Sequence, residues 1–133
     1  MKVQVGDSRS LQIVDDLTRT QIVQYAGASG DYNPLHSDDK FTVDVAGYPS
    51  VFAHGMLTMG MTGRVLTDWF GAEGLASYGV RFVKQVFPGD SLTATATVTA
   101  VRDDGGQHLA DLDVVTVNQD GDVVLQGTAS ARV

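Results

Sequence analysis

Residues 29–36 read SGDYNPLH, an acid, an amide, a proline and a histidine within one short stretch between two segments of helical pattern. The residue before a proline is pushed out of the α region, so Asn33-Pro34 forces a turn and lets Asp31 and His36 face each other across it. A carboxylate and an imidazole placed that way can share one water. Histidine titrates nearest neutrality and a carboxylate can orient it, so the pair suits taking a proton from water and returning one to a substrate carbon. The same residue types also build turns through side-chain to backbone hydrogen bonds, and a histidine after proline can cap a following helix. Spacing alone leaves both readings open.

A second candidate is AHGM at 53–56, where His54 and Gly55 open a long apolar run. Helix N-termini carry unpaired N–H groups and partial positive charge, and glycine admits close approach, so Gly55 can hold an oxyanion; it reads equally as a residue that relieves crowding at the helix start. His54 reads equally as a shaper of that site or as a hydrogen-bonded core residue. Met56, with Leu57, Met59 and Met61, can line an acyl pocket, although methionines in a buried helix more often pack the core. His108 beside a turn reads as a surface residue. Three histidines spread along the chain, with no His-x-x-x-His or Glu-x-x-His spacing, predict no metal site.

These residues need a scaffold. QVGDSRSLQIV predicts one or two short extended segments around a Gly-Asp turn, ending near Val14. A helix capped by Asp16 or Thr18 follows, with Ile22, Val23, Tyr25 and Ala26 on its apolar stripe, until Gly27 and Gly30 break the pattern. Ser37 is placed to cap a short helix that begins with Asp38 and Asp39 and ends by Gly47. The run AHGMLTMGMTGRVLTDWF predicts a buried helix anchored by Trp69 and Phe70, and Gly60 and Gly63 within it suggest close packing against its backbone. From residue 75 onward the period is two, and the separators FPGD, DDGG and QDGD predict a four-strand antiparallel meander. Helices first and strands after make an α+β arrangement with the long helix on one sheet face.

The 133 residues, 43% hydrophobic, fit one globular domain spanning 1–133. A net charge of −7 with nine scattered Lys and Arg residues argues against nucleic acid as a partner. A phosphate-bearing ligand would rely on a few local cations such as Arg64, Arg81 or Lys84. The chain has no cysteine, no apolar run of membrane-spanning length and no apolar signal core in MKVQVGDSRS, so a cytoplasmic protein without membrane contact is expected.

YAGASGDYNPLHSDD, followed by VFAHGMLTMGM and later RFVKQVFPGD, resembles the MaoC-like dehydratases and R-specific (type-2) enoyl-CoA hydratases over nearly the whole chain. The resemblance implies a hot-dog fold, a long central helix wrapped by a curved antiparallel sheet. It implies that Asp31 and His36 hold and activate water, that Asn33 braces their loop, and that the Gly55 N–H meets a thioester oxygen, with His54 and Met56 near the substrate. The implied substrate is a trans-2-enoyl thioester of CoA or acyl carrier protein, hydrated syn to the R-3-hydroxyacyl thioester with no metal or redox cofactor. The reverse dehydration uses the same residues. A homodimer is implied, with heteromers in some members, where a subunit can be non-catalytic.

Overall fold

The alternation in LTATATVTAV produces the strand it predicts, with Leu92, Ala94, Ala96 and Val98 buried and the hydroxyl residues between them on the other face. The computed structural model describes residues 1–133. Five strands form one antiparallel sheet: β1 (Ser8–Val14), β2 (Leu75–Phe82), β3 (Leu92–Asp104), β4 (Gln107–Val117) and β5 (Val123–Arg132), in the order β1-β3-β4-β5-β2. Helix α1 (Arg19–Ser29) precedes the catalytic candidates, and α2 (Gly55–Phe70) packs on the sheet. This is the α+β architecture expected of the hot dog. No helix is long and apolar enough to cross a membrane.

The sequence order of the strands misleads at one point. β3, β4 and β5 form the meander, but β2 pairs with β5 rather than with β3, so residues 83–91 are a crossover and not a hairpin. FPGD does turn, as Asp90 N–H donates to Phe87 O at 3.0 Å. Leu17 then captures it from both sides, its N–H donating to Asp90 O and its carbonyl accepting from Gly89 N–H. At the N-terminus the one strand is β1, whose entry is a turn closed by Asp7 N–H on Gln4 O.

Small residues let the helix approach the sheet. Ala94, Ala96, Ala110, Ala129 and Ala131 belong to the same core cluster as Leu66, Trp69 and Phe70. Full burial of a leucine such as Leu66 contributes about 1.5–3 kcal/mol. The closest backbone approach lies at Gly127, where a Cβ would sit 2.0 Å from the Gly79 carbonyl oxygen of the neighbouring strand. Gly60 and Gly63 do not behave as expected: a Cβ at Gly60 meets nothing within 4 Å, and at Gly63 it meets only the Tyr78 ring at 3.5 Å. The crowded glycine of this helix is Gly55, at its first turn. Of the methionines, Met61 packs against the core cluster as expected, whereas Met56 is exposed and Met59 half-buried. Thr58 and Thr62 take the buried line instead, beside Val65, Leu66 and Trp69.

Thr62 and Thr116 hydroxyls bond each other at 2.7 Å, fully buried. Removing one partner strands the other, so Thr62→Val is expected to cost about 1–3 kcal/mol in urea unfolding. Thr62→Val/Thr116→Val should recover most of that loss. Tyr78 donates to Met59 O at 2.9 Å and ties β2 to α2, and burial pushes its hydroxyl up to about 12 from 10.0. The neutral form is the one the fold favours. Its contribution is therefore complete below pH 10.0 and is lost as pH rises toward 12. Thermal unfolding across that window should show an alkaline loss that Tyr78→Phe lacks.

Candidate active site

Gly30 ends α1 in the left-handed region at φ 75°, a conformation that favours glycine, and its N–H caps back to Ala26 O. The chain leaves in a new direction at Asp31. Consecutive side-chain turns then fix the loop: Ser29 Oγ accepts from Asp31 N–H, Asp31 Oδ1 from Asn33 N–H, and Asn33 Oδ1 from Leu35 N–H, all at 3.0–3.2 Å. Pro34 starts a single 3-10 turn through His36. The helical turn that follows opens at Asp38, which accepts from Phe41 N–H, rather than at Ser37, and winds wide over Phe41–Val45 before ending at Gly47.

The extended residues 51–54 lie between this loop and the crossover. Phe52 N–H donates to Leu35 O and Ala53 N–H to Val86 O. Asp39 holds the near end: its carboxylate accepts from Val51 N–H and pairs with Arg19 at 2.8 Å. The Val51 N–H first, and then Arg19, outweigh partial desolvation and lower its pKa.

Two histidine rings meet here. His36 Nδ1 lies 2.6 Å from Phe52 O, and His54 Nε2 lies 3.0 Å from Asp31 O. A carbonyl can only accept, so both of these nitrogens carry protons. In a neutral imidazole this leaves the Nε2 lone pair of His36 free, while Nδ1 of His54 is a buried side-chain atom with no hydrogen-bond partner. The two rings stack at 3.8 Å with 22° between planes, and Tyr25 meets His54 edge-on at 4.8 Å. His54 is buried, His36 half-buried and Asp31 exposed, a gradient from protein interior to solvent.

Donor atoms of Asp31, His36 and His54 lie within 4.8 Å of one another, so the fold gathers residues that sequence spacing kept apart. A metal bonds imidazole in the ring plane, along the lone pair. Rings stacked face to face cannot both aim that way at one nearby point. A water bridging carboxylate and His36 suits the separation better.

The surrounding cavity holds about 280 Å³ and adds Tyr25, Ser29, Gly55, Met56 and Phe82 to the three. Gly55 is the first residue of α2, and neither its N–H nor that of Met56 donates to a backbone carbonyl. The positive end of a helix thus opens onto the cavity. Asn33 stays in the loop and His108 is remote, paired with Asp103 on the surface. Phe82 joins the site although the sequence gives no sign of it. It reaches the cavity from the end of β2, and no local pattern in RFVKQ signals that contact.

The profile of the MaoC like domain matches residues 2–119. The chain is 41% identical over 60% of its length to 3-hydroxyacyl-thioester dehydratase Y of Mycobacterium tuberculosis. It is 30% identical to the (R)-specific enoyl-CoA hydratase of Aeromonas caviae, covering 85% of this chain and 84% of that protein. In backbone it is similar to a chain of the ChsH1-ChsH2 complex of M. tuberculosis, with a TM-score of 0.82, 27% identity, and coverage of 100% and 99%. The chain spans only 29% and 39% of the length of two M. tuberculosis relatives it matches. With the profile reaching over most of the sequence, including the Asp31–His36 loop and the opening of α2, the chain belongs to the MaoC-like family.

Proposed function

We propose that the chain is an R-specific enoyl-thioester hydratase, and the observation that carries this reading is the Asp31 carboxylate within 4.8 Å of an imidazole nitrogen of His36, a ring oriented by the Phe52 carbonyl, in one cavity with Gly55. The thioester carbonyl lies on the Gly55 N–H, where the helix end supports enolate charge as it develops. Asp31 accepts one proton of the shared water as a hydrogen bond, and His36 Nε2 removes the other as the oxygen attacks C3. The C2–C3 π electrons move toward the carbonyl. The imidazolium then gives its proton to C2, so oxygen and hydrogen arrive from one face and the product is the R-3-hydroxyacyl thioester.

The Phe52 carbonyl accepts from His36 Nδ1 and so orients the ring, and Asp31 O keeps His54 fixed beneath it. In this scheme the thioester supplies the acidity and neither metal nor redox cofactor takes part. The reverse reaction is dehydration, the activity in the name of the M. tuberculosis relative. The acyl carrier is CoA or a carrier protein. A homodimer fits the open edge of β2, which is hydrogen-bonded only to β5, and a non-identical partner on the same edge would give a heteromer.

The test is loss of conjugated-thioester ultraviolet absorbance when the purified chain meets crotonyl-CoA, with chiral analysis of the product. Formation of the R-3-hydroxy thioester without free thiol supports the reading. Thiol release would point to a thioesterase. Binding of an enoyl thioester without turnover would point to a non-catalytic subunit.

A further inference from the structure

A second cavity, of about 210 Å³, lies on the other side of Phe82 from the catalytic one. Both are lined by Gly55 and Phe82, and by no other residue in common. The ring is pressed onto the glycine: a Cβ at Gly55 would lie 3.0 Å from Phe82 Cε2 and Cζ. The partition between the cavities is therefore one aromatic side chain against one glycine, and the ring is itself half exposed at 50%.

The second cavity is apolar in its walls, with Phe52, Ala53, Val83, Val86 and Val124 around it. Lys84 also borders it, but its ammonium is turned to Asp122 at 2.5 Å, leaving the methylene stem as the lining. Thr58 and Gln85 complete the lining, which offers no free charge to a charged ligand, while its apolar side chains suit an aliphatic tail. Its near end begins where the thioester would sit.

Resting on the hydratase reading above, we infer that Phe82 is the specificity-determining wall for acyl length. With the ring on Gly55, the buried part of the acyl chain is confined to the catalytic cavity and short chains are favoured. Removal of the ring joins the catalytic cavity to the more apolar second one and admits a longer tail.

The test compares four- and eight-carbon thioesters in the parent, Phe82→Ala and Phe82→Trp, by two readouts. Turnover uses crotonyl-CoA and trans-2-octenoyl-CoA. Calorimetric binding uses butyryl-CoA and octanoyl-CoA, which cannot be hydrated. Each methylene that gains a buried place favours binding about fourfold, so Phe82→Ala should raise the eight-to-four-carbon preference by about tenfold or more. Phe82→Trp should lower it. Val83→Phe in the Phe82→Ala background refills the second cavity and should cancel the gain, which general loosening of the site would not do. If Phe82→Ala unfolds, Phe82→Leu carries the same expectation with a smaller shift. An unchanged length preference in both readouts overturns the wall. A shifted binding preference with no turnover by any variant overturns the hydratase reading and leaves the wall standing.

Discussion

Asp31→Asn is expected to lower turnover of an enoyl thioester about a thousandfold, within the range typical for loss of a positioned acid–base group. Asparagine keeps the shape of the side chain, and its oxygen still accepts the Asn33 N–H that Asp31 Oδ1 holds at 3.2 Å. The loop should therefore survive. Asp31 is exposed, so neutralising it relieves no buried charge, and the stability change should stay within about 0.5 kcal/mol. What is lost is the second acceptor: an amide presents N–H where the carboxylate presented oxygen, and the water is no longer held with its other proton toward His36. Measured together, absorbance decay and urea unfolding separate the two effects. Near-normal decay would remove Asp31 from the chemistry. A large stability loss would instead make it a structural residue of the turn.

The turns of the Asp31–His36 loop were legible because they are local, whereas the His36 ring is oriented by Phe52, sixteen residues away. Gly30, Asn33 and Pro34 are turn chemistry, and side-chain bonds two residues apart complete the geometry. Strand existence was legible from the period of two, as in Leu92 through Val98. The partner of β2 was not, because FPGD is a true turn whose direction is decided by Leu17, far away in sequence. His54 shows the same limit from the side of the site. Nothing near AHGM tells that its ring will stack on His36 and bond the Asp31 carbonyl, since both contacts are made when α2 docks. The glycines of α2 misled for a related reason. A glycine signals that a Cβ can be dispensed with, but only the tertiary neighbour, here Phe82 at Gly55, says where space is short.

His36→Gln should cost turnover about as much as Asp31→Asn, again about a thousandfold. Glutamine cannot take up a proton, so the step that moves hydrogen from water to C2 has no carrier. His36 is half-buried and meets Phe52 edge-on at 5.3 Å besides stacking on His54 at 3.8 Å, so this variant should lose more stability than Asp31→Asn, by about 1 kcal/mol. The informative measurement is the double variant. If carboxylate and imidazole act on one shared water, removing either already abolishes the step, and Asp31→Asn/His36→Gln should be little worse than each single change. Two groups working on separate protons would instead multiply to about a millionfold loss. The geometry favours the first result: one imidazole nitrogen is committed to the Phe52 carbonyl, which orients the ring, and the carboxylate lies within 4.8 Å of a His36 ring nitrogen, a separation one water can bridge. A multiplicative result would separate the pair and require a second proton carrier in the cavity, for which Tyr25 and Ser29 are the hydroxyls at hand.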